Sequence, residues 1–255
     1  MQLLASAATG PFISAHRGYS TAAPENTIAA LEAARLAGAT VAEIDVRPSA
    51  DGALVLMHDA TVDRTTNGSG PVGALSLSEL RRLDAGRWFD RKFAGTPVPT
   101  LQEALRWSQG RLGLLVELKN FPERDPAVIE EVIAVILAEG AEDYAVVGGF
   151  DHPTLAELHR RQPGWPLEMM VHARLADPVA AALSCGATLI SLEPEFCVAD
   201  DVAALHRAGI AVLTTVLSEA HGRELAAMGV DFFENDDVLL CRRAIAAPLA
   251  AVRVG

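Results

Sequence analysis

The stretch TLISLEPEFCVADDVAALHRAGIAVLTTV, residues 188–216, contains the unit from which the fold is read. A β-rich run, Thr188–Leu192, leads into an amphipathic helical pattern, and a second β-rich run, Ile210–Val216, follows it. Strand, helix and strand in this order give the rhythm of a parallel sheet covered by helices. The same alternation continues outward, to Asp231–Glu234 on one side and to Leu167–Val171, Tyr144–Gly149 and Leu114–Lys119 on the other. Two earlier runs, Phe12–His16 and Val41–Arg47, flank a helix expected over Thr27–Leu36, which ends near Gly38, a residue suited to a left-handed cap. That makes eight strands. No tandem repeat, low-complexity segment or linker interrupts them, so the expectation is an α/β fold with a single (β/α)8 TIM barrel over residues 1–255.

One run breaks the rhythm. Leu54–His58 follows Val41–Arg47 too closely for a parallel crossover, and Asp51-Gly52 between them is a strong hairpin signal. The run should therefore return antiparallel beside the second strand. A two-residue turn would set Ala50 against Ala53 and Asp45 opposite His58, on the face that Glu43 shares with Asp45; a longer turn would shift this register.

The bulk composition narrows the function. The formal charge of −12 argues against a nucleic-acid partner, since such affinity rests on clustered Lys and Arg. Cys185, Cys197 and Cys241 are odd in number and lack metal or redox spacing, which suits reduced thiols in a cytoplasmic protein. Met1–Gly10 carries no positive charge and too short an apolar stretch for a secretory signal, and no run reaches the ~18 apolar residues of a membrane span. Nothing in the composition speaks to the oligomeric state.

In a barrel of this kind the chemistry lies at the C-terminal ends of the strands. There the sequence places His16 and Arg17 on the first strand, Glu43 and Asp45 on the second, and Glu117 and Lys119 on the next. Three carboxylates gathered together repel and require a cation. An all-oxygen set suits Mg²⁺ or Ca²⁺ better than zinc, which prefers nitrogen and sulfur.

The segments AHRGYSTAAPENT (15–27), VAEIDVRPSADGALVLMHDATVDRTTNGSG (41–70) and VELK (116–119) together resemble the signature of the glycerophosphodiester phosphodiesterase family, over nearly the whole chain. LSELRRLDAGRWFDRKFAGTPVPTLQEAL (77–105) is similar to the small insertion of that family, here about residues 60–99, which related sphingomyelinase-D-type barrels lack. The resemblance implies metal-dependent hydrolysis of a small-molecule glycerophosphodiester to glycerol 3-phosphate and an alcohol. It implies His16 and His58 as the acid–base pair, Glu43, Asp45 and Glu117 as metal ligands, and Arg17 and Lys119 as phosphate-holding cations. Two alternatives stay open: a phospholipase-D-like lyase that forms a cyclic phosphate from lysophospholipids, and a non-catalytic phosphodiester-binding barrel.

Around this constellation the reading branches. Asn26 or Thr27 serves as a helix N-cap or contacts the substrate, and Glu25 braces the site. Asp59, Asp63 and Arg64 either orient His58, hold the insertion, or are solvated loop charges. Phe150 lines the pocket or packs under the insertion, while His152, His159, His172, His206 and His221 fall to surface or core roles. The chain also departs from the family pattern. Thr214-Thr215-Val216-Leu217 stands where relatives carry a Trp-Thr-Val-Asn-like run, Asn235-Asp236 preceded by Glu234 replaces a Thr-Asp, and Glu193 replaces an uncharged polar residue. Glu193 is accordingly expected to contact the substrate and to favour amine-bearing head groups, unless it pairs with a neighbouring Lys or Arg.

Overall fold

The computed structural model describes residues 11–120 and 124–246. Eight parallel strands close into a barrel: β1 Phe12–Ala15, β2 Val41–Pro48, β4 Gly113–Leu118, β5 Ala145–Gly149, β6 Leu167–Val171, β7 Leu189–Leu192, β8 Ala211–Thr215 and β9 Phe232–Asn235. β1 pairs with both β2 and β9 and so shuts the ring. Helices cover the outside, among them α1 Ile28–Ala37, α4 Pro126–Glu139 and α7 Ala199–Arg207, the last being the helix of the 188–216 unit. The short α2, Leu77–Leu80, belongs to the insertion, and α3 is Leu101–Ser108. The N-terminal expectation for Met1–Gly10 lies outside the described residues.

Two apolar layers hold the barrel. Outward-facing strand residues such as Ile44, Val116, Ile190 and Phe233 pack under the helices. Inward-facing Val41, Leu115, Val146, Leu189, Leu213 and Phe232 plug the lower end of the barrel. Because strand side chains alternate with period two, the next inward positions up lie one pair of residues later. There the apolar plug gives way to Ser14, Glu43, Glu117, Glu168, Ser191 and Glu234. The site is therefore a polar cup standing on an apolar floor.

β3, Leu54–Leu56, pairs antiparallel with β2 as the hairpin expectation requires, but not in the two-residue register. Val46 faces Leu56 and Arg47 faces Val55, so the loop is the three residues Ala50, Asp51 and Gly52. Gly52 takes the left-handed position (φ 82°) that closes such a loop with a bulge. The extra residue sets Asp45 against Met57, whose amide donates to the Asp45 carbonyl at 3.0 Å, and not against His58. His58 lies one residue beyond, held where the Arg47 Nε donates to its carbonyl at 2.9 Å.

After His58 the chain makes its excursion through residues 59–99, with a core of its own around Val55, Met57, Val62, Val72, Leu80, Ala85 and Val98. α2 opens on a capping box between Ser76 and Glu79, and α3 on another between Thr100 and Glu103, which fixes where the excursion rejoins the barrel.

Candidate active site

Strand β1 ends at Ala15, and the backbone then turns sharply: Arg17 has φ 56° and Gly18 φ 76°. A side chain at Gly18 would have its Cβ 2.6 Å from that of Ala30 in α1, so the turn fits only with glycine there. The turn projects His16 and Arg17 into the cup. The Arg17 amide donates to Glu43 Oε2 at 2.8 Å, tying the end of β1 to the middle of β2.

His16, Arg17, Glu43, His58, Glu117, Lys119 and Glu193 all line one cavity of about 250 Å³ at the C-terminal ends of the strands. Asp45 is buried beside it, within a cluster in which oxygens of Glu43, Asp45 and Glu117 all lie within 4.8 Å of one another. All eight residues expected at the site are thus brought together. Burial and the neighbouring Asp45, Glu234 and Glu117 push the Glu43 carboxyl well above its ordinary range. Burial also pushes Glu117 up, against the pull of Lys119. Burial would raise Asp45 too, but Lys119, His58, Arg17 and Asn26 outweigh it and hold this carboxyl below its usual range. Lys119 Nζ lies 3.0 Å from Asp45 Oδ1 and also contacts Glu117 Oε1. Glu43 Oε1, by contrast, is buried with no hydrogen-bond partner among the described residues. An orphaned carboxylate oxygen in a three-carboxylate cluster fits an oxygen-ligated divalent cation, which would supply the missing partner.

Each histidine is backed by a carboxylate that the sequence left ambiguous. His16 Nδ1 lies 2.7 Å from Asp236 Oδ1, and His58 Nδ1 lies 2.7 Å from Asp59 Oδ1. With Nδ1 so engaged, the Nε2 of each ring is the atom left for substrate. Burial lowers the His16 pKa, but the Asp236 hydrogen bond and the Glu234 charge outweigh it and leave the pKa above the ordinary value.

A second tier fixes these groups. Arg64 reaches Glu25 through both terminal nitrogens at 2.7 Å and Asp59 through Nε at 2.7 Å, while Arg17 Nη1 reaches Glu25 at 3.1 Å. Glu25 therefore does brace the site, and Arg64 and Asp59 orient His58. Asp63 instead accepts from the Gly70 amide in the insertion at 3.0 Å. Thr27 caps α1 by accepting from the Ala30 amide, which leaves Asn26 for another task. Asn26 Nδ2 donates to Asp45 Oδ2 at 2.7 Å and its Oδ1 accepts from the Asp45 amide at 3.0 Å, clamping one carboxylate of the cluster.

On the far rim Phe150 lines the cavity and stacks on the His172 ring, centroids 4.2 Å apart and 13° from parallel. His172 was expected on the surface or in the core, yet it lines the cavity; its Nδ1 contacts Glu193 Oε1. The partner of Glu193 is thus a histidine and not a Lys or Arg. Sequence reasoning missed Glu168 and Ser191 altogether. Ser191 stands one pair of residues above the plug residue Leu189, and Glu168 one pair below Met170, which lines the cavity, so the inward parity of β7 and β6 was the available signal.

The model of the glycerophosphoryl diester phosphodiesterase family matches residues 16–240. The chain belongs to that family. It is 38% identical over 170 residues to a glycerophosphodiester phosphodiesterase of Caldanaerobacter subterraneus, covering 66% of this chain and 70% of that one. The solved glycerophosphodiester phosphodiesterase of Agrobacterium tumefaciens superposes with a TM-score of 0.82 at 34% identity, covering 92% of this chain and all of that one. A phosphodiesterase from Oleispira antarctica, solved with its product sn-glycerol-3-phosphate, gives a TM-score of 0.87 at 29% identity over 93% of this chain and 98% of that one. Membership in the glycerophosphoryl diester phosphodiesterase family makes the barrel an enzyme that cleaves phosphodiesters and sets aside the purely binding barrel. No helix of the described residues is long and apolar enough to cross a membrane.

Proposed function

We propose that this enzyme hydrolyses glycerophosphodiesters to glycerol 3-phosphate and an alcohol, using a divalent cation, Mg²⁺ or Ca²⁺, at Glu43, Asp45 and Glu117, with His16 and His58 as the proton-transfer pair. One observation carries the reading: two imidazoles, each with Nδ1 at 2.7 Å from a carboxylate, face the same cavity as Arg17, Lys119 and a buried carboxylate cluster. When bound, the cation supplies positive charge to the phosphoryl oxygens. Arg17 and Lys119 hold those oxygens from the other directions, Arg17 with a planar fork suited to two of them. His16 Nε2, its pKa held up by Asp236 and Glu234, takes the proton from the attacking hydroxyl of water or of the neighbouring glycerol carbon, and in the second case water then opens the cyclic phosphate with the two histidines exchanging roles. His58, held through Nδ1 by Asp59, returns a proton from Nε2 to the departing alkoxide of the alcohol arm. The buried thiols, all unpaired, suit a reducing cytoplasm.

At the rim, the Phe150 face and the Glu193 carboxylate favour a cationic, amine-bearing head group such as that of glycerophosphocholine over glycerophosphoinositol. Glu193→Gln should narrow that preference, read as kcat/KM for the two substrates. The hydrolytic reading is tested by assaying glycerophosphocholine, glycerophosphoethanolamine and glycerophosphoinositol with Mg²⁺ and Ca²⁺ and following the products by phosphorus NMR. Glycerol 3-phosphate as the accumulating product is expected. A terminal cyclic phosphate, or no turnover with either metal, would overturn it.

A further inference from the structure

The substrate of the proposed reaction has two arms on one phosphate. The glycerol arm is common to all glycerophosphodiesters, and the alcohol arm differs among them. The walls of the cavity differ in the matching way. On one side, Phe150 and His172 stand open to solvent, with 39% of Phe150 and 69% of the His172 side chain exposed. On the other, between β8, β9 and β1, the wall is less exposed and built from Leu213, Thr215, Glu234 and His16, with Leu213 only 3% exposed. An arm that never varies can be met by a fitted wall, and an arm that varies needs an open one.

Glu234 is the carboxylate of this wall. It is half-buried, lines the cavity, and has no Lys or Arg partner among the described residues. Its Oε2 accepts from the Ser14 hydroxyl at 2.8 Å, which fixes the carboxylate, while Oε1 carries no hydrogen bond among the described residues. Thr215 is its register neighbour on β8 and lines the same wall. A fixed carboxylate with one oxygen free is a hydrogen-bond acceptor, and its complement is a hydroxyl donor. The glycerol arm presents such a donor at the carbon farthest from phosphorus, the position that carries the acyl chain in a 1-acyl lysophospholipid.

We propose that Glu234 reads this distal glycerol hydroxyl, so that the enzyme accepts fully deacylated diesters and rejects those whose glycerol is capped there. The inference rests on the reading of the cavity as a glycerophosphodiester site. Glu234 touches substrate in this account, and its role is selection.

The experiment compares kcat/KM for sn-glycero-3-phosphocholine and for its 1-O-methyl ether, which loses the donor with little added bulk. Wild type, Glu234→Gln and Glu234→Leu are measured with Mg²⁺ across pH, and each variant is checked for folding by its melting temperature. The wild type should prefer the free hydroxyl by about ten- to a hundredfold, the range for a hydrogen bond to a charged group. The ratio should fall to within about threefold in Glu234→Leu, and lie between in Glu234→Gln, which keeps a carbonyl acceptor. If the leucine variant fails to fold, the glutamine variant supplies the comparison. A wild-type ratio near one, or an unchanged ratio in the variants, would overturn the proposal. So would an equal loss on both substrates with a shifted pH profile, because Glu234 would then act through His16. A wild type inert toward every glycerophosphodiester would instead sink the functional reading, and this inference with it.

Discussion

Asn26 was expected to cap a helix or to contact substrate, and its replacement is the sharpest test of how the carboxylate cluster is held. The residue is 4% exposed, sits at φ 56°, and makes two hydrogen bonds to Asp45, one to Oδ2 at 2.7 Å and one from the amide at 3.0 Å. Asn26→Gly keeps the left-handed backbone while removing both. Losing a donor to a buried carboxylate costs about 1.5–3 kcal/mol, and leaving a buried amide unpaired costs about 1–3 kcal/mol, so the variant should lose about 2.5–6 kcal/mol. Asn26→Ala adds a left-handed backbone penalty of about 1–2 kcal/mol, offset by about 0.4–1 kcal/mol because alanine restricts the unfolded chain more than glycine does. It should therefore fall between about 0 and about 1.6 kcal/mol below the glycine variant. Freed to rotate, Asp45 should also lose affinity for a divalent cation by about ten- to a hundredfold, the usual cost of removing a partner that orients a ligand. Denaturant melts in EDTA measure the first effect, and calorimetric titration of the metal-free protein with Mg²⁺ or Ca²⁺ the second. Asn26→Gly within 0.5 kcal/mol of wild type (about the noise of such measurements) and with unchanged metal affinity would refute the clamp.

Three further outcomes are expected. His16→Ala and His58→Ala should each lower kcat by ~10²- to 10⁴-fold while cation-induced stabilisation persists, and activity within a few-fold of wild type in both would remove their assignment. Asp236→Asn removes the strongest influence raising His16, leaving Glu234 to raise it and burial and Arg17 to lower it; with His16 as the base, the acid limb of kcat/KM should move to lower pH, and an unmoved limb would assign that limb to another group. Glu168 is fully buried, and burial pushes its pKa up to about 8 from the ordinary 4.5. The neutral carboxyl then contributes stability that is fully present below about pH 4.5 and is lost as pH rises toward 8, of order 3–5 kcal/mol in all. Glu168→Gln should flatten this loss in melts taken from pH 5 to 8 (the window set by about 4.5 and about 8), and identical pH slopes would show that Glu168 is not neutral in the fold.

The chain itself determined the barrel. Eight β-rich runs alternating with amphipathic helices admit little else, because a parallel sheet needs a covering helix between neighbours and a closed sheet leaves no edge. The same periodicity determined most of the site: Val41, Glu43 and Asp45 share one face because side chains alternate, so the carboxylate pair had to point where the apolar plug points. The sequence could not settle the hairpin register, since a two-residue and a three-residue loop both use Asp51-Gly52, and only the pairing of Val46 with Leu56 shows that Met57 and not His58 faces Asp45. Nor could it choose among the charges that follow. Asp236 and His16 lie 220 residues apart along the chain and 2.7 Å apart in space. Closure of β1 against β9 is what brings them together, and it is decided by the whole ring at once. Asn26, Arg64 and His172 read locally as a cap, a loop charge and a surface ring. Each has a partner on another element, at Asp45, at Glu25 and Asp59, and at Glu193. Local sequence carries the period of a strand and the propensity of a turn, while a side chain's partner depends on the direction in which distant elements pack, and that is fixed only when the barrel closes.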